Sequence, residues 1–108
     1  MSSDRIAEHE ILDKINKAWE RMSLPQRRFW EVIRVDPVKW IYPGYGESEG
    51  GFWVVAIMGR SVVWYDDIEG HFLYSDYKAF GTFGEHKSGG DSLEEIVNSF
   101  LHQATKVC

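Results

Sequence analysis

The chain has 108 residues, of which 44% are hydrophobic and 15% aromatic; that is enough apolar material for one folded domain over residues 1–108 and speaks against disorder. Its formal net charge is −5, with 12 Lys plus Arg against 17 Asp plus Glu. This argues against a nucleic-acid partner, because phosphate backbones are bound by concentrated cations that release counterions. The single cysteine, Cys108, rules out an intramolecular disulfide and any Cys-x-x-Cys metal or redox pair.

The opening "MSSDRIAEHEILDK" lacks the basic and apolar regions of a secretory signal. No apolar run approaches the roughly 18–20 residues that cross a bilayer, so a soluble, cytoplasmic protein is expected. Residues 5–22 read as an amphipathic helix, because Ile11, Leu12, Ile15, Ala18, Trp19 and Met22 share one face at helical spacing. Glu10 with Lys14 and Asp13 with Lys17 are i,i+4 pairs in the favourable order. "SLPQ" at 23–26 ends this helix or begins a turn, since Pro25 cannot continue an interior helical ladder.

"RRFWEVIRV" suits either helix or strand; its β-branched and aromatic residues and the Asp36–Pro37 stop favour a strand. Arg27–Arg28, with Lys17 and Arg21 upstream, is a patch rather than a stripe. "PGYGESEGG" at 43–51 is a loop by composition. "FWVVAIM" at 52–58 is a continuous apolar run of β-formers, the pattern of a strand covered on both faces. Gly59–Arg60 fits a type II′ hairpin turn into "SVVWY", and a second turn near Glu69–Gly70 leads to "HFLYSDY". A further short strand is expected at Phe80–Phe83. Residues 91–104 form a helix, with Asp91 as N-cap, Glu94 three residues on, and Leu93, Ile96, Val97, Phe100, Leu101 and Ala104 on one face.

The order predicts an α+β domain: an N-terminal helix, an antiparallel β-meander of three to four strands, and a C-terminal helix packed on the sheet. Strict alternation places Trp53, Val55 and Ile57 on one face of their strand and Phe52, Val54, Ala56 and Met58 on the other. Both sets are apolar, so something must cover the second face: the 37–51 loop, the other helix, a second copy of the chain or a ligand.

Asp66, Asp67, Glu69 and Asp76, with His71, are the polar candidates for cation binding through oxygen or for acid–base work. Neighbours in a strand point to opposite faces, and the spacing is not that of a calcium loop. A solvated hairpin turn is the simpler account. His9, His71, His86 and His102 have no metal-ligand spacing, and no catalytic residue, metal or cofactor is assigned. "GYGESEGG" and "GTFGEHKSGGD" depart from phosphate-loop patterns, the first preceding a strand where a helix is needed.

The aromatics carry more promise, since Trp and Tyr favour sites with one apolar and one wet side and are enriched in binding hot spots. Trp40, Tyr42, Tyr45, Trp53, Trp64, Tyr65, Tyr74 and Tyr77 are the expected contact surface, with a basic or neutral protein partner or a second copy (a homodimer) on it. In size, acidity and helix–sheet–helix order the chain resembles small bacterial interaction proteins, immunity proteins among them, without a shared motif. The expected function is a non-enzymatic interaction module. The alternative is a small ligand-binding or metal-dependent enzyme using the Asp66, Asp67 and His71 region.

Overall fold

The computed structural model describes residues 6–42, 50–84 and 87–106. Tyr45, His86 and Cys108 lie outside them. Among the described residues, helices α1 (Glu8–Arg21) and α2 (Leu24–Ile33) precede strands β1 (Arg34–Trp40), β2 (Phe52–Met58), β3 (Ser61–Asp66), β4 (His71–Asp76) and β5 (Lys87–Asp91), and helix α3 (Leu93–Lys106) follows. The strands form one antiparallel meander in the order β1-β2-β3-β4-β5. This is the expected α+β arrangement, extended to a fifth strand by the short glycine-containing segment "KSGGD".

The segment "RRFWEVIRV" departs from the expected strand. Its first part belongs to α2, which buries Trp30 and Ile33, four residues apart less one, and leaves Val32 79% exposed. That spacing is helical rather than alternating. The helix begins with a reciprocal cap: Ser23 Oγ accepts from Gln26 N–H at 3.3 Å, and Gln26 Oε1 accepts from Ser23 N–H at 2.8 Å. Pro25 sits in the first turn, where its missing N–H costs nothing. Arg27, half of the basic pair, donates to the Trp19 carbonyl at 2.9 Å and lies over the Trp19 ring. It closes the end of α1 rather than presenting charge to a partner.

Gly59, at φ 60, opens the two-residue β2–β3 turn with a positive φ that Arg60 does not share, as a type II′ turn requires. A bulge in β2 between Val54 and Ala56 breaks the alternation expected there. Beyond it Ala56 and Met58 join Val55 on the helix side, and Ile57 joins Val54 on the other. The helix-side core gathers Ile11, Ala18, Trp30, Val55, Val63, Phe72, Ile96 and Phe100. All three helices therefore pack on one face. α3 starts one residue later than the expected cap implies: Ser92 donates from both N–H and Oγ to Glu95 Oε1, while Glu94 faces Arg21.

The cap of α2 offers a direct test. Ser23→Ala is expected to cost about 1 kcal/mol, read as a lower urea midpoint with an unchanged slope.

Candidate functional site

The second sheet face is covered by the chain itself. After β4 the backbone folds back so that Ile41 N–H donates to the Gly81 carbonyl and Phe83 N–H to the Ile41 carbonyl, both at 2.9 Å. Residues 80–83 are thus a strap held by isolated bridges, Ile41 with Thr82 and Ala79 with Thr82, not the expected strand. The strap drives Phe83, 3% exposed, onto the sheet. Its ring centroid lies 4.6 Å from that of Trp64 and 5.7 Å from that of Trp40. Phe52 and Tyr42 close around Trp64 at 4.9 and 5.7 Å. Trp64 Nε1 donates to Ser75 Oγ at 3.0 Å, whereas Trp40 Nε1, in the same layer, is buried with no hydrogen-bond partner among the described residues.

The expected aromatic surface divides between the two faces. Trp40 and Trp64 are fully buried under the strap and offer no contact area of their own. Tyr42 and Tyr77 form the partly exposed rim of that layer. Trp53, Tyr65 and Tyr74 lie on the helix side, where Trp53 Nε1 donates to the Ile6 carbonyl and Tyr74 meets Phe100 edge-on. Sequence reasoning missed Phe80, 74% exposed, whose ring stands 4.8 Å from that of Trp40. The glycines around it, in "FGTFG", were the available signal for a loop carrying two rings rather than a strand.

No protein family, curated protein or solved structure matches the chain. Function has to be argued from these residues.

The acids diverge, as neighbours in a strand should. Asp66 is fully buried, so the picture of a solvated turn does not hold for it. Its Oδ1 accepts from the Ile68 and Glu69 N–H groups at 3.0 Å each, and its carbonyl accepts from Gly70 N–H at 2.7 Å. Asp67 Oδ2 accepts from Ile6 N–H at 2.8 Å and, with Trp53, clamps the approach to α1. Glu69 and Asp76 are exposed. Among the described residues no group of three or more His, Cys, Asp or Glu side chains is placed to hold a metal ion.

His71 is the cross-strand partner of Asp66 at the end of the β3–β4 hairpin. It lines a cavity of about 340 Å³ together with Lys14, Lys17 and Arg21 of α1, the Tyr65 and Phe72 rings, and the start of α3. Arg21 forks onto Glu94 at 2.7 and 3.3 Å, and that hydrogen bond raises the guanidinium above its ordinary pKa. Desolvation alone would raise Glu94, but the Arg21 hydrogen bond, backbone and Ser92 hydrogen bonds and Arg21's charge together hold it below the usual carboxylate value.

Asp67→Ala is expected to lose about 1–2 kcal/mol, as a charged acceptor is removed from a partly buried N–H, with Trp53 fluorescence shifting red as the clamp opens. The Arg21–Glu94 pair gives a pH signature. A depressed folded-state pKa contributes stability above the unfolded value, and that contribution disappears as pH falls through the folded one. Arg21→Gln should therefore be less stable than the parent at about pH 7, with the difference shrinking as pH falls below the ordinary carboxylate range, by thermal melts.

Proposed function

We propose that the protein is a non-enzymatic interaction module that uses the sheet face turned away from its helices, and that the first occupant of this face is a second copy of the chain. One observation carries the reading: Phe80, 74% exposed, and Val38, 41% exposed, share a face with the partly exposed Tyr42, Tyr77 and Ile57 and the buried aromatic layer. Exposed aromatics on a fixed base give contact area at low entropy cost, as binding hot spots require. The rim is uncharged, which lets two chains of net charge −5 approach at this face with least repulsion. Around it Asp76, Lys78 and Arg60 are exposed, so a two-fold contact can set opposite charges against each other. A cytoplasmic setting belongs to the same proposal.

The enzymatic or metal-dependent alternative draws on Asp66, Asp67 and His71. The two carboxylates hold the turn and the α1 approach, which leaves His71 as the member that lines a cavity.

Sedimentation at micromolar concentrations should find a concentration-dependent dimer in the parent chain and a monomer in Phe80→Ser. The melting temperature of Phe80→Ser should stay close to the parent's, because truncating an exposed side chain costs within about 0.5 kcal/mol. Phe83→Ala, by contrast, should cost about 3–5 kcal/mol as a core truncation. A strictly monomeric parent would overturn the reading.

A further inference from the structure

The cavity beside His71 is unlike the rest of this acidic chain. Lys14, Lys17 and Arg21 are three and four residues apart, so they form one stripe on α1, and the stripe faces His71 across the opening. Among the described residues no carboxylate lines the cavity, and Glu94 meets Arg21 at its edge. His71 is partly exposed and borders the opening, while its Nδ1 is buried, out of reach of a ligand there, with no hydrogen-bond partner among the described residues. Tyr65 and Phe72 form an apolar wall, and their rings meet at 4.9 Å.

We propose that this cavity binds the phosphoryl group of a small phosphorylated molecule. Several cations converging from one side, with a histidine opposite, suit an anion that offers acceptor oxygens in several directions. A volume near 340 Å³ is at the small end of ligand clefts, about 300–1,000 Å³. It takes a phosphoryl group and a compact organic part, which the ring wall receives. Three cations on one helix make a short stripe at this opening, not the extended basic track of a nucleic-acid site.

The present partners of the cations are compatible with such a ligand. Lys17 pairs with Asp13 at 3.2 Å, with both side chains exposed, and pairs of that kind contribute little in water. Lys14 lies over the Tyr65 ring, 5.2 Å from its centroid, already directed to the wall. Arg21 stands at the rim with its charge offset by Glu94. The site lies on the helix side of the sheet and is independent of the proposed contact face.

The experiment is a titration of the full chain followed by amide correlation spectra, with inorganic phosphate and phenyl phosphate as probes and sodium chloride at matched ionic strength as control. Saturable shifts at Gly70, His71, Ser92 and Leu93 are expected, with phenyl phosphate binding tighter than inorganic phosphate. Lys14→Gln/Lys17→Gln should weaken binding about tenfold or more, equivalent to about 1.4 kcal/mol. Arg28→Gln, which removes an equal type of charge away from the cavity, should bind as the parent does. If the double variant loses its dispersed spectrum, His71→Gln provides the same comparison. No saturable shift, shifts centred elsewhere, or parental affinity in the cavity variants would overturn the proposal. So would binding of a polyglutamate peptide in place of phosphate, which would assign the site to an acidic protein segment. Phe80→Ser should leave this titration unchanged, so failure here and failure of the contact face are told apart.

Discussion

Strands β2 and β3 are apolar on both faces, and the rest of the molecule is arranged around the need to keep water off each of them. One face takes three helices. The other takes a strap of the chain's own backbone, fixed by reciprocal hydrogen bonds with Ile41 and carrying Phe83 into a layer of Trp40, Trp64 and Phe52. A strap can bury only what lies beneath it, so the edge of the layer stays open. Phe80 and Val38 are exposed and Tyr77 partly so for that geometric reason, and the candidate contact face is what the internal cover leaves over.

The turn acids show how burial decides between chemistry and structure. Asp66 is fully buried, and a carboxylate there would be costly without partners. It accepts from two N–H groups of its own turn, which fixes the hairpin that aligns β3 with β4. Asp67 faces the other way and holds Ile6. Both are therefore committed to positioning backbone, and the register they fix brings Tyr65 opposite Phe72 on the wall of the cavity.

Much of this was legible in the sequence. Periodicity located α1 and α3 to within a few residues, and the apolar run of β2 with its Gly59–Arg60 turn located the central hairpin. The two-sided apolar character also required a second cover. What was not legible had identifiable causes. Pro25 by itself reads as a stop, whereas Ser23 and Gln26 three residues apart form a capping box around it, which turns the same proline into a start. The β2 bulge cannot be read from alternation, because it is a mismatch between two strands and not a property of either. Among the aromatics, residue type does not specify which face a ring joins. Trp64 and Tyr65 are adjacent and equally aromatic, yet they enter different cores because successive strand residues alternate. The cavity was invisible because its cations and His71 are far apart in the chain, and the order of α1, β4 and α3 in space is what joins them.

That alternation also ties the two candidate surfaces to one scaffold. Tyr65 and Phe72 line the cationic cavity, while Trp64 and Leu73, their immediate neighbours and a cross-strand pair themselves, belong to the aromatic layer on the opposite face. The two sides differ in chemistry, one neutral and aromatic, the other basic with an apolar wall. Both are borne on the same two strands, whose register is pinned by Asp66 at one end and by the Tyr77 bonds to Gly59 and Arg60 at the other. Rigid strands are better suited than loops to holding side chains at fixed separations. The site residues on this hairpin are therefore set by sheet geometry, while Phe80 and the α1 cations come from the strap and from a helix.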